Sequence, residues 1–180
     1  MPQMQLGWHF VAIHNNAPRL RDGTPLVLHH TYEHAGKLLM CSHGYHDSAR
    51  IIDALKYAPG AGLCRTLASA DLCDSDKRVS HYRSAIAYID ATTILHGFAV
   101  RIAYCALLAE RERGREPDPR SWEALRVKQA WLRGDATDAD LRAAWGAAWD
   151  AARDAAMEAA EDLLLSMLPE AIRVHREQTR

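Results

Sequence analysis

Ser80–Gly114 reads SHYRSAIAYIDATTILHGFAVRIAYCALLAERERG. Apolar residues recur through it at three- and four-residue steps. The spacing predicts one long helix from near Arg83 to Arg113 that buries Ile86, Ile89, Thr93, Phe98, Ile102 and Leu107. Its most apolar part, Phe98–Ala109, is too short to span a bilayer and carries Arg101, so it reads as a core helix. The fold turns on this stretch because it separates two differently built halves.

On its N-terminal side, short apolar runs at Trp8–Ile13, Pro25–His29, Lys37–Cys41 and Leu63–Leu67 alternate with turn-forming clusters (NNAPRLRDG, EHAG, APGAG), the pattern of short strands and tight connections. One helix is expected among them, capped by Ser48 and stopped by Pro59 and Gly60, with Ile51, Ile52 and Leu55 on its apolar face. On the C-terminal side, Gly114, Pro117 and Pro119 end the long helix, and a shorter one follows at Trp122–Leu132, closed by Gly134. Thr137 to Asp140 then supplies a capping-box start to a final helix reaching Met167, and Pro169 ends it. The fold class expected is therefore α+β. Residues 1–79 form a small N-terminal β-layer with one helix, and residues 80–180 form a helical half of long antiparallel helices.

With 22 Lys and Arg against 23 Asp and Glu, 48% hydrophobic residues and a net charge of -1, the 180-residue chain has the composition of an ordinary globular protein. Binding to a nucleic-acid polymer is not expected, because phosphate neutralisation needs a cationic surplus, and the arginines at 111, 113, 115 and 120 are interleaved with acids. The N-terminus shows no cationic leader with an apolar run, so a cytoplasmic location and no membrane contact are expected. Cys41, Cys64, Cys73 and Cys105 show no CxxC spacing and read as free thiols.

Nine of the ten histidines lie at or before His96. His30-Thr-Tyr-Glu33-His34 matches the inverted zinc-protease signature in letters, but β-branched and aromatic flanks predict a strand entering a turn. The cluster of Cys41, His43 and His46 lacks paired ligand spacings, so no metal and no cofactor is expected. For nucleophilic chemistry the residue types gather between 41 and 53. Cys41 or Ser48 could be the nucleophile, His46 the base and Asp47 or Asp53 the orienting acid, although no GxSxG elbow is present. The alanine-rich segment carries Asp150, Asp154, Glu158 and Asp162 at four-residue steps. On a helix these acids share one face and repel one another, which suits a basic partner. Its small residues also allow close approach of a neighbouring helix, including one from a second copy of the chain.

Cys41-Ser-His-Gly44-Tyr-His46-Asp-Ser48, followed by Asp53-Ala-Leu-Lys-Tyr57-Ala-Pro59-Gly60, resembles a phage- and prophage-encoded family of unknown function. Its members read approximately C-x-x-G-(aromatic or Leu)-H-x-S, then D-A-L-x-Y-A-P-G. The likeness extends through Trp8-His-Phe10, Leu20-Arg-Asp-Gly23, Thr31-Tyr32, Asp76-Lys77 and Asp90-Ala-Thr92 to the alanine-rich end, covering most of residues 8–168. It implies a phage or prophage origin and a β-rich head with a helical tail, but no activity. Gly44, His46, Asp53, Tyr57, Pro59 and Gly60 match the pattern, while His43 and Asp47 fall where it fixes nothing. Two functions are therefore expected in order. The first is an accessory protein that inhibits a host or defence-system protein by binding it through Asp150, Asp154, Glu158 and Asp162. The second is a small hydrolase or transferase on a nucleotide-like substrate, with His46, Asp53 and Cys41 or Ser48 at its site.

Overall fold

The computed structural model describes residues 3–117, 119–140 and 163–169. The chain divides into two compact units, residues 1–92 with 168–180, and residues 93–167.

The first unit is built on a curled antiparallel sheet that forms a half-barrel. Strands β1 (Gln5–His14) and β2 (Ala17–Arg19) form a hairpin whose two-residue loop, Asn15 and Asn16, has φ of 52° and 59°. Two successive left-handed residues match the right-handed twist of the strands, and asparagine tolerates that conformation better than most residues. After β3 (Thr31–Glu33), β4 (Tyr45–Asp47) and the short helix α1 (Ile51–Leu55) comes β5 (Gly62–Ala68). Strands β6 (Leu72–Cys73), β7 (Arg78–Ser80) and β8 (Tyr82–Asp90) complete the unit. The larger sheet runs β2-β1-β5-β8-β3, and a smaller one runs β4-β7-β6. Val11, Leu20, Cys64 and Ala85 form a buried cluster, with Leu26, Tyr32 and Tyr88 against it.

Strand β8 overturns the expected fold class. The α+β reading, with its β-layer closed by residue 79 and long antiparallel helices beyond residue 80, is replaced by a mixed α/β structure, and no long antiparallel helices stand in the C-terminal half among the described residues. Residues 82–90 do not form a helix because they have hydrogen-bonding neighbours on both sides, β5 on one and β3 on the other. The helix-like spacing of Ile86 and Ile89 has a different cause. At the register shift between Arg65 and Thr66, their partners on β8 are Ala87 and Ala85, so Ile86 is an extra residue that interrupts strict alternation. Asp90 then ends the strand. Its carboxylate accepts hydrogen bonds from the Thr92 amide at 2.9 Å and the Thr92 hydroxyl at 2.6 Å, which starts helix α2 (Thr92–Glu112).

Among the described residues α2 is the one helix long and apolar enough to cross a membrane, with a mean hydropathy of 1.5 over an 18-residue window. The core-helix reading holds only in part, since Phe98 and Val100 are its buried positions. After Gly114, at φ +77°, helix α3 (Pro119–Arg133) begins on a proline, which suits a first turn whose amide has no helical acceptor. Gly134, at φ +83°, closes it. The two helices meet through ring tips, with His96 against Trp131 at 4.7 Å between centroids and Tyr104 against Trp122 at 5.9 Å. Lys128 lies between them, its Nζ 2.7 Å from His96 Nδ1, and burial pushes its ammonium down to about 8. The expected capping box is formed: Asp140 accepts from the Thr137 amide at 2.9 Å, and the Asp140 amide donates to the Thr137 hydroxyl at 3.2 Å. Asp150, Asp154, Glu158 and Asp162 lie outside the described residues.

One buried ion pair ties the two sheets of the first unit together. Asp47 on β4 receives Arg78 of β7 through two bonds, at 2.9 and 2.7 Å, and the Thr66 hydroxyl of β5 at 2.7 Å. Arg78 also donates to the Leu6 carbonyl on β1 at 3.1 Å. A Cβ at Gly7 would stand 2.0 Å from the Asp47 carboxylate, so only glycine leaves room for the pair. Removing one partner of such a pair strands the other charge. Asp47→Asn should therefore cost about 3–5 kcal/mol, read as a lower denaturant midpoint, whereas an unchanged midpoint would show that the pair is dispensable.

Candidate functional site

The first unit holds a cavity of about 630 Å³ between β1, β4, the 41–44 turn and the end of α1. Its walls include His9, Arg21, Asp22, Cys41, His46, Ser48, Tyr57, Lys77 and Arg83. Of the residues expected to form a site, Cys41, His46, Asp47 and Ser48 therefore line one cavity.

The turn that presents Cys41 and His46 is locally forced. Cys41 has φ +67° and Gly44 has φ +106°, and a Cβ at Gly44 would lie 2.5 Å from Leu38 Cδ2 and 2.6 Å from Val79 Cγ2. His46 spans this turn from inside. Its Nε2 accepts the Cys41 amide at 2.9 Å, and its other nitrogen donates to the Gly44 carbonyl. With both ring nitrogens occupied, His46 pins the loop and has no lone pair left for a substrate proton.

Ser48 is buried and paired with β1, donating its amide to the Trp8 carbonyl at 2.9 Å and accepting the Trp8 amide at 2.8 Å. That pairing replaces the expected helix cap, and α1 begins after Arg50 with no side-chain cap. Asp53 is buried on α1, where it binds Lys56 at 2.9 Å with Arg50 4.0 Å away, and it is not among the lining residues. The structure thus separates Asp53 from His46. In the stretch that matches the zinc signature in letters, Thr31–Glu33 is a strand, and among the described residues no three His, Cys, Asp or Glu side chains gather as metal ligands. The four cysteines are unpaired.

The cavity's chemistry comes from residues that local sequence gave no reason to join. Arg83 on β8 is 6% exposed, yet it has no carboxylate within ion-pair distance among the described residues. It donates to the His46 carbonyl and lies 5.3 Å over the Tyr45 ring. Asp47, the carboxylate that most favours its charge, is already held by Arg78. Burial lowers Arg83 from its ordinary value, and its positive field in turn helps lower His9 and His46, in both of which burial is the larger cause. Arg21 and Lys77 add positive charge on the walls, against the single exposed carboxylate of Asp22. No short-range motif marks this set, because His9 and Arg83 reach the cavity from β1 and β8, two strands far apart in the chain with β5 between them.

No protein-family model, curated protein or solved structure matches the chain.

The two lowered imidazoles set a pH dependence. Their folded-state values lie below the ordinary 6.5, so the folded chain binds fewer protons than the unfolded one. Stability is complete above that value and falls as pH drops through it toward the folded-state values. The loss in urea midpoint between about pH 7.5 and about pH 5.5 should be smaller in His9→Gln than in the wild type. An equal loss in both would remove His9 from the account.

Proposed function

We propose that the first unit is a binding module for a nucleotide-sized anion, held in the cavity against Arg83. The observation that carries this reading is a buried guanidinium facing a cavity with no counter-ion of its own. An uncompensated buried charge costs several kcal/mol, and a ligand phosphate or carboxylate offsets that cost through charge-assisted hydrogen bonds. Arg21 and Lys77 extend the cationic wall, and the half-exposed Tyr57 ring offers a stacking surface at the rim. The volume falls within the range of small-molecule sites.

Binding is favoured over turnover. His46 is occupied on both sides and Asp53 is engaged elsewhere, so the acid–base pair expected for a hydrolase or transferase is not assembled. The resemblance to a phage-encoded family supports an accessory role, and the acid–base pair left apart supports holding such an anion without converting it. Capture of a host or defence-system protein by the acidic row at Asp150, Asp154, Glu158 and Asp162 is a separate proposal, supported by the spacing of those acids.

Calorimetric titration with ATP, AMP, pyrophosphate and adenosine tests the reading. Affinity should follow charge, fall with added salt and be absent for adenosine. Arg83→Met should weaken ATP roughly thirtyfold, the scale of one or two lost charge-assisted bonds. The same variant should be at least as heat-stable as the wild type, because it removes an unpaired buried charge. Failure of ATP, AMP and pyrophosphate all to bind, or equal binding by Arg83→Met, would overturn the assignment.

A further inference from the structure

We propose that Cys41 and Lys77 form an oxidation-sensitive gate on this cavity, in which one oxygen atom joins the lysine nitrogen covalently to the cysteine sulfur. The effect assigned to the gate rests on the anion-binding reading above, whereas the bridge itself rests on the placement of two side chains. Lys77 Nζ lies 2.8 Å from Cys41 Sγ, although the residues are 36 positions apart. Both line the cavity.

The contact is held from several directions. The turn places Cys41 at φ +67° with its amide bonded to His46. Lys77 lies 4.6 Å over the Tyr57 ring, and the Tyr57 hydroxyl donates to Asp76 at 2.8 Å, which fixes the ring against the neighbouring residue. The other thiols are placed differently. Cys64 is buried and pushed up to about 12, and the exposed Cys73 bonds to the Ala70 carbonyl at 3.6 Å. Cys105, also exposed, lies on α2 in the other unit.

Dioxygen is the oxidant. Lys77 first releases one proton to solvent. The thiol S–H and one amine N–H then break, S–O and N–O bonds form to a single oxygen atom, and the second oxygen leaves as water with the two hydrogens. Sulfur and nitrogen each lose two electrons, and dioxygen takes up all four. The product nitrogen carries oxygen, is far less basic than an alkylamine and is neutral near pH 7. Oxidation therefore removes one cation from the cavity wall and ties the 41–44 turn to β7. Anion affinity should fall about tenfold, the size of one charge-assisted hydrogen bond. Thiol reductants that open the S–O bond restore both charge and affinity.

The test uses the full chain exposed to air and then analysed by peptide mass spectrometry under non-reducing conditions. The expected result is a linked pair of peptides, one with Cys41 and one with Lys77, whose mass is their sum plus one oxygen less two hydrogens. The link should disappear with dithiothreitol. ATP titration before and after oxidation should show the tenfold loss in the wild type, and the ratio of the two affinities should approach one in Cys41→Ser and in Lys77→Arg. Oxygen found only as sulfinic or sulfonic acid on Cys41, or a disulfide in place of the link, would overturn the bridge. A bridge that leaves ATP affinity unchanged would overturn the gate. If the reduced protein binds no ATP, the cavity reading fails and the gate with it, while the mass measurement still decides the bridge.

Discussion

The Asp47–Arg78 pair is the constraint on which the first unit depends. Its groups come from β4 and β7 of the small sheet, and their remaining hydrogen bonds reach Thr66 on β5 and Gln5 and Leu6 on β1 of the large one. Two short strands could not hold a sheet by themselves, since three paired residues supply little apolar burial. The ion pair fixes their position instead, at the cost of desolvating two charges. Because His46 directly precedes Asp47, anchoring the carboxylate also orients the turn behind it. The cavity wall thus follows from an ion pair whose two charges satisfy each other.

The same anchor distributes charge unequally. Two arginines, Arg78 and Arg83, come from strands consecutive in sequence but in different sheets, near one carboxylate, and Arg78 takes it in a two-bond geometry. Arg83 is left with a backbone carbonyl and an aromatic face, partners that satisfy donors without neutralising charge. A residue that a purely structural design would pair or replace therefore faces open space. Such departures from local economy are where function is most often found.

Parts of the fold are legible in the sequence where the signal is local. Asn15-Asn16 between two apolar runs specifies a tight hairpin, and Gly134 and the Thr137–Asp140 pair mark helix ends through backbone conformation and side-chain bonds only a few residues away. Strand β8 is not legible in the same way, because a bulge at Ile86 erases its alternation and because its partners are β5 and β3. Asp90-Ala-Thr92 carried the one local mark of its end, an Asp whose carboxylate caps the following helix. At the site, density of His, Cys and Asp pointed to residues 41–53, part of which lines the cavity. It gave His46 the role of a base, whereas both of its ring nitrogens are engaged within the turn, and it missed Arg83 and His9, which come to the cavity from two strands far apart in the chain.

The strand order β2-β1-β5-β8-β3 has a consequence for how the chain is made. Strand β1 finds β2 at once, but its other edge stays open until β5 has been synthesised, and β5 in turn lacks a second neighbour until β8 is complete. During that interval a strand carrying Trp8, Phe10 and Val11 presents unpaired backbone groups to the surrounding solution. Pairings across such distances in sequence slow folding and leave sticky edges exposed while they wait. The half-barrel thus passes through its most aggregation-prone state before the residues that build its cavity have all been added.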